Sequence, residues 1–243
     1  MSGLLLIPDW PLPAGIRAVV STRVGGVSEG AYASLNLGSH VGDNPEAVAE
    51  NRRRFAAAAG LVAQPGWLNQ VHGCDVVAAS DDPSASADAV WSNQPGRPCA
   101  VMTADCLPVL FADLEGRCVA AAHAGWRGLA AGVLEATIAA MPVPAERLTA
   151  WLGPAIGPEA FQVGDEVREA FITQCAADAA AFKPDGDRWR ADLFALARAR
   201  LARCGIAHIA GGGLCTVSNP QRFFSHRRDG LSGRFASLII IDR

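Results

Sequence analysis

The chain has 243 residues, a hydrophobic share of 50%, a charged share of 19% and a net charge of −3, with a pI near 5.9. It is long and apolar enough to bury a substantial core, which excludes a disordered polymer, and its weak acidic balance offers no basic field to nucleic acid or anionic lipid. The opening M-S-G-L-L-L-I-P-D-W has no basic segment and only a short aliphatic run before Pro8, so it reads as neither a signal peptide nor a membrane span.

Ile16–Thr22 alternates like a strand and runs into Arg23, followed by a glycine-rich loop, V-G-G-V-S-E-G-A-Y. The next stretch, S-L-N-L-G-S-H-V-G-D-N, is polar and turn-rich and holds Asn36 and His40. Asn44 before Pro45 predicts an N-cap with proline in the first helical position. The helix it opens spans Pro45–Ala59, with Val48, Phe55 and Ala59 on one side and Arg52–Arg54 mostly on the other. Strand-like runs follow at Pro65–Val71 and Cys74–Ala79, with His72-Gly73 at the turn between them. A polar loop covers Ser80–Ser86, and short strands are expected at Ala87–Trp91 and Cys99–Thr103.

The stretch Met102–Gly128 then reads as a hairpin: M-T-A-D-C-L-P-V-L-F-A-D, a tight turn at Glu115-Gly116, and R-C-V-A-A-A-H-A-G-W-R-G. After His123 the apolar period lengthens to about 3.6, with Leu129, Val133, Thr137 and Met141 marking a helix that starts near Gly125. Leu148–Leu152 is a strand, Gly164–Cys175 and Asp192–Cys204 are helical, and Ile206–Ala210 and the apolar C-terminal run are strands. There is no internal repeat and no dividing linker. Hairpin-like strand groups between helices predict an α+β or mixed α/β fold with two sheets, in one domain over residues 1–243.

Seven scattered cysteines, mostly within apolar runs, predict a reducing, cytoplasmic setting. Of 21 basic residues only Lys183 is a lysine, so arginine forks are the natural anion binders.

The hairpin brings Cys106, at the start of one strand, beside His123, at the end of the next. His72 sits at the end of another apolar run. Cys plus two His is a ligand set that zinc uses in open sites. The same residues admit nucleophilic catalysis by Cys106 with a histidine base, and each alone also reads as a packed or turn residue. A closed structural zinc site, with Asp105 or Cys74 as fourth ligand, is the non-enzymatic reading. The segment H-A-G-W-R-G turns from strand to helix, and Arg127 in the first turn, with Arg23 facing the glycine-rich loop, could meet an anion there. It is not a P-loop. The charged run His226-Arg227-Arg228-Asp229 with Arg234 could bind phosphate or a partner but reads first as a solvated turn, and His208 reads as a core histidine.

N-Q-V-H-G at 69–73, T-A-D-C-L-P at 103–108 and H-A-G-W-R-G at 123–128 resemble the laccase-domain family once named multicopper polyphenol oxidases, whose members are now mostly described as purine nucleoside phosphorylases. T-R-V-G-G-V-S at 22–28, S-L-N-L-G-S-H-V-G-D at 34–43, G-P-A-I-G-P at 153–158 and F-F-S-H-R-R-D-G at 223–230 resemble it too, although His226 replaces a residue that is often aromatic there. The resemblance implies a four-layer α/β/β/α sandwich with two mixed sheets, related to cysteine hydrolases. It implies zinc on His72, Cys106 and His123 at the catalytic site. The implied reactions are phosphorolysis of adenosine, inosine, guanosine and methylthioadenosine, and deamination of adenosine. Arg23, Asn36, Gln70 and Arg127 are then the expected substrate and phosphate residues, the partners being nucleosides and phosphate rather than nucleic acid or membrane. Editing hydrolysis of a peptidoglycan precursor and copper-dependent phenol oxidation are the family's alternative activities. Five histidines and no H-x-H pair exclude the paired sites of a multicopper oxidase, leaving copper at the single Cys/His/His set as the lesser alternative to zinc.

Overall fold

A strand buried on both faces carries an unbroken apolar run, whereas a half-buried strand alternates. The computed structural model describes residues 3–80 and 86–242; the polar loop expected at Ser80–Ser86 therefore lies, apart from its ends, outside the described residues. In chain order, β1 (Leu5–Leu6), β2 (Ile16–Ser21), α1 (Pro45–Ala58), β3 (Val76–Ala78) and β4 (Ala89–Ser92) come first. The middle of the chain forms β5 (Cys99–Thr103), β6 (Leu107–Asp113), β7 (Val119–Ala124), α2 (Trp126–Ala131), α3 (Val133–Ala140) and β8 (Leu148–Leu152). Then follow β9 (Gln162–Val163), α4 (Asp165–Ile172), β10 (Phe182–Asp185), β11 (Arg188–Ala191), α5 (Leu193–Arg203), β12 (His208–Gly211), α6 (His226–Asp229) and β13 (Phe235–Ile241).

Two large sheets stack face to face. One has the order β1-β2-β13-β5, and the other β12-β8-β6-β7-β4-β3. The period-2 alternation of their side chains assigns three apolar layers. Val101, Phe235 and Ile239 of the first sheet meet Val90, Leu110, Ala121 and Trp151 of the second. On the opposite face of the six-stranded sheet, Val109, Phe111, Ala122 and Ala150 pack under Leu129, Leu134, Phe171 and Leu201 of the helices. On the outer face of the four-stranded sheet, Ala100, Met102, Leu238 and Ile240 pack under Phe55 and Ala59 at the end of α1. The arrangement is the expected helix–sheet–sheet–helix sandwich, and it explains why β5, β6, β7, β8 and β13 are buried throughout and mostly apolar.

Several details differ from the expectation. Only the six-stranded sheet is mixed, with parallel pairs at its two edges, while the four-stranded sheet is antiparallel throughout. Beyond the two sheets expected there is a third, three-stranded sheet β10-β11-β9, hidden in the sequence because Lys183, Asp185, Arg188 and Arg190 interrupt its apolar pattern. Pro65–Val71 forms no regular strand and contributes only a bridge from Asn69 to Ser86. The helix expected from Gly125 breaks at Gly132, whose φ of 97° suits glycine and separates α2 from α3. Finally, Arg52 turns inward. Val48, Arg52, Phe55 and Ala59 fall at i, i+4, i+7 and i+11, so Arg52 belongs to the buried stripe of α1, and its guanidinium lies 4.6 Å from the centre of the Trp67 ring.

Candidate metal and substrate site

The β6–β7 hairpin pairs Leu107 with Ala124 and Pro108 with His123. Cys106, one residue before β6, is thereby brought to the rim beside His123, as the sequence predicts. The residue ahead of it, Asp105, has φ 91°, a turn that a non-glycine residue adopts only when its surroundings hold it. Its carboxylate is held by Thr216, whose hydroxyl donates at 2.5 Å, and by the Arg227 backbone N–H at 2.6 Å. This carboxylate is therefore engaged away from the cysteine, and neither Asp105 nor Cys74 joins the cluster as a fourth ligand.

His72 comes from the segment that forms no strand, and it too has positive φ, 62°. What holds it is Asp88, fully buried on the strand run before β4. The Asp88 carboxylate accepts the backbone N–H groups of Val71 (3.2 Å), His72 (2.9 Å) and Gly73 (2.7 Å), and the Nδ1–H of His123 at 2.7 Å. One carboxylate thus fixes both histidines, and it leaves Nε2 of His123 for a ligand. Burial pushes the Asp88 carboxyl up, but the hydrogen bonds from His123, Gly73 and His72 outweigh it and hold it below the usual carboxylate range. Asp88 is not among the residues expected from the sequence, although an acid inside an otherwise apolar strand run, A-D-A-V-W, is a signal for it.

One donor atom each from His72, Cys106 and His123 lies within 4.8 Å of the others, with His72 Nε2 3.8 Å from Cys106 Sγ. The histidine rings meet edge-on, centroids 4.7 Å apart. Nitrogen and sulfur ligands of a tetrahedral zinc ion stand about 3.5 Å apart, so the donor set and its spacing fit a zinc-type ion. The site is graded from exposed His72 through Cys106 to buried His123, which leaves one side open to solvent. Burial pushes the Cys106 thiol up, but the charge and hydrogen bond of His123, together with His72, bring it down to about 6. Burial lowers the His123 imidazole, and the Cys106 thiolate and Asp88 more than offset this, raising it to about 9. Met102 is not part of the set; its sulfur lies 4.0 Å from Arg52 Nη2 on the α1 side.

The glycine before α2 closes the site from above. A Cβ on Gly125 would lie 2.8 Å from Cys106 Sγ and 3.2 Å from a His72 ring carbon. Beside Cys106 opens a cavity of about 170 Å³ walled by Trp126, Ile156, Phe161 and Leu193, with His226 and Arg227 of α6 at its edge. The run from His226 is therefore a cavity wall rather than a free turn. His226 Nδ1 pairs with the Gly230 carbonyl at 2.5 Å, and Arg227 donates to the Gln162 carbonyl at 3.0 Å.

The four expected substrate residues are not gathered at one point. Arg23 donates to the carbonyls of Ala33 (2.9 Å) and Pro220 (3.2 Å) and lies over Phe224. Asn36 is fully buried and bonds Gly38, Asp43 and the Arg234 backbone. Gln70 pairs through both amide atoms with the Met102 backbone, at 2.8 Å each. Arg127 is exposed, stacked 4.4 Å from the ring centre of Trp126 at the cavity. The α2 helix that follows Gly125 has only six residues before Gly132, too short for a strong dipole. Among the described residues, no helix is long and apolar enough to cross a membrane.

Residues 17–242 match the family model described as "Multi-copper polyphenol oxidoreductase laccase". The chain is 56% identical over 237 residues to a protein of Escherichia coli (strain K12) named purine nucleoside phosphorylase YfiH, covering 97% of this chain and 98% of the relative. It is 56% identical over 236 residues to a Pseudomonas aeruginosa protein also named a purine nucleoside phosphorylase, covering 96% and 97%. Among solved structures, a Neisseria meningitidis protein matches with a TM-score of 0.95 at 52% identity, covering 99% of this chain and 100% of that one. YlmD from Geobacillus stearothermophilus matches with a TM-score of 0.92 at 30% identity, covering 100% and 98%. Its sequence over nearly its whole length, and its fold, place the chain in the family of multi-copper polyphenol oxidoreductase laccases.

Proposed function

We propose that the chain is a zinc-dependent purine nucleoside phosphorylase acting on adenosine, inosine, guanosine and methylthioadenosine, with adenosine deamination as a side activity. The observation that carries this reading is the convergence of three zinc-type donors, braced by a buried carboxylate, at the edge of an open apolar cavity. The activity in the names of the 56% identical relatives supports the purine nucleoside class.

His72, Cys106 and His123 would hold the ion. When bound, zinc supplies Lewis-acid polarisation and an activated water, the chemistry that deamination at purine C6 requires. The rest falls to the chain's own side chains. Trp126 and Phe161 offer flat faces to the purine, and Ile156 and Leu193 exclude water around it. Asp88 keeps the proton on His123 Nδ1, so that Nε2 points to the reacting side. The depressed thiol of Cys106 makes it a ligand near neutral pH without a separate base. Arg127, held over Trp126, meets the substrate at the cavity rim, while Arg23, Asn36 and Gln70 hold the loops that wall the site. The single domain over 1–243 is part of this proposal.

The test is incubation of the pure protein with each nucleoside, with and without phosphate, alongside metal analysis of the wild type and Cys106→Ala. The expected products are the free base and ribose 1-phosphate (5-methylthioribose 1-phosphate from methylthioadenosine) in a phosphate-dependent reaction, with about one zinc per chain that the variant loses. Absence of phosphate-dependent cleavage for all four nucleosides overturns the activity. Full zinc in Cys106→Ala overturns the ligand set and leaves the cysteine as a nucleophile.

A further inference from the structure

Two arginines that neither the sequence nor the family comparison singles out as a pair meet on the loop at Leu37–Ser39. Arg234 immediately precedes β13, and the β13–β5 register, Phe235 opposite Thr103, places it two residues from the turn that presents Cys106. It is packed over Gly38, where a Cβ would lie 2.8 Å from Arg234 Cγ, and its Nη1 donates to the carbonyls of Ser232 (2.9 Å) and Gly233 (3.0 Å). Arg52 reaches the same corner from the buried stripe of α1. Its Nε donates to the Leu37 carbonyl at 2.9 Å, and its Nη2 lies 3.5 Å from Ser39 Oγ. Both guanidinium groups are largely desolvated. Among the described residues neither has a carboxylate within ion-pair distance, whereas the buried Arg200 has Glu135 at 2.9 Å. A buried, fixed positive charge without a counterion is unfavourable unless an anion arrives to meet it.

His40, exposed at the mouth of the loop between them, completes the corner. It follows Ser39, which Arg52 meets, and partial burial and then the charges of Arg234 and Arg52 hold its imidazole below the ordinary value. Burial likewise lowers the Arg52 guanidinium to about 10, and that of Arg234 in the same direction despite the Cys106 and Asp105 charges.

We propose that Arg52, Arg234 and His40 form the subsite for inorganic phosphate, the tetrahedral oxyanion co-substrate, next to the Cys/His set. The assignment rests on the phosphorolysis reading above. In that reaction a phosphate oxygen forms a bond to C1′ of the ribose as the C1′–N9 bond breaks; the bonding pair leaves with the purine, and the proton released by phosphate ends on the purine. Guanidinium groups anchored on carbonyls, with Nη1 of Arg52 and Nε and Nη2 of Arg234 outside those bonds, suit the equivalent oxygens of phosphate. The loop S-L-N-L-G-S-H thereby acquires a reason for its glycine and its small residues: they let Arg234 lie flat against the backbone.

The test is steady-state phosphorolysis of inosine with phosphate varied, in the wild type and in Arg234→Gln, Arg52→Gln and His40→Gln, with Arg234→Lys as the charge-conserving control. Loss of a charge-assisted hydrogen bond is expected to raise the phosphate KM about tenfold or more in the arginine variants and several-fold in His40→Gln. The inosine KM stays near the wild-type value, and Arg234→Lys recovers part of the loss. Unchanged phosphate KM in Arg234→Gln and His40→Gln overturns the subsite while leaving the phosphorylase intact. If Arg52→Gln does not fold, the exposed His40 and the partly exposed Arg234 still decide. If the wild type makes no ribose 1-phosphate, the phosphorylase reading fails separately, and calorimetric titration with inorganic phosphate decides the subsite: saturable binding weakened in Arg234→Gln supports it, and equal binding or none overturns it.

Discussion

Asp88 does at one position what several residues would otherwise share. Its two oxygens receive three consecutive backbone N–H groups and one imidazole N–H, so it fixes a left-handed His72 and the tautomer of His123 together. Substituting Asp88→Asn puts an amide N–H where only acceptors fit. Outer-shell losses of this kind lower metal affinity about 10–100-fold, which competition against a fluorescent chelator measures, and wild-type affinity in the variant would refute the role. Gly125 is constrained from the other side. In Gly125→Ala the new methyl meets Cys106 Sγ at 2.8 Å, and the start of α2 or the thiol has to move. We expect kcat/KM to fall by about 100-fold, the scale of an ångström-level misplacement of reacting groups, with a far-UV spectrum like that of the wild type.

The helix α1 does more than cover the four-stranded sheet. Its Asn51, fully buried, donates to Ser28 Oγ (2.8 Å) and to the carbonyls of Ser34 (3.1 Å) and Asn36 (2.9 Å), and accepts from the Val27 N–H at 2.8 Å. One side chain thus ties the glycine-rich loop and the loop that carries His40 to a rigid element. Asn51→Ala leaves buried backbone groups without partners and is expected to destabilise the fold by about 2–4 kcal/mol, read as a lower denaturant midpoint with an unchanged slope. On the opposite outer layer, Phe171 of α4 packs fully buried beside Phe182 at 6.0 Å between ring centres. Phe171→Ala is expected to cost about 3–5 kcal/mol by the same measurement, and a loss below 1 kcal/mol would show that this layer repacks freely.

At the scale of the molecule, the site sits where the two sheets end together. The β5 and β6 turn, the β7 to α2 turn and the loop before β13 converge on one rim, so the Cys/His set reports on the packing of both sheets. An ion bound there stabilises the whole native state. Zinc at about 100 times its dissociation constant contributes about 2.7 kcal/mol, so the unfolding temperature should rise on zinc addition and fall with chelator; Cys106→Ser should remove that response. The family description speaks of several coppers, yet five histidines, of which two join the Cys/His set, cannot supply a second cluster of the multicopper kind.

Local patterns in the sequence determined most of the elements and half of the site. The β5, β8 and α1 limits follow from apolar runs and from the Asn44-Pro45 cap, and the Cys106–His123 pairing follows from a hairpin whose register the turn dictates. These are properties of neighbours along the chain, and the chain records them. The tertiary structure alone decided the rest. Asp88 reads as an ordinary strand residue until the loop at 71–73 folds over it; Arg52 reads as a surface charge until its place on the buried stripe meets Trp67; Asn36 and Gln70 read as ligand binders until their amides close on backbone. A side chain's partner across 15 to 198 residues is set by how sheets and loops pack, and that packing leaves no periodic trace in the sequence.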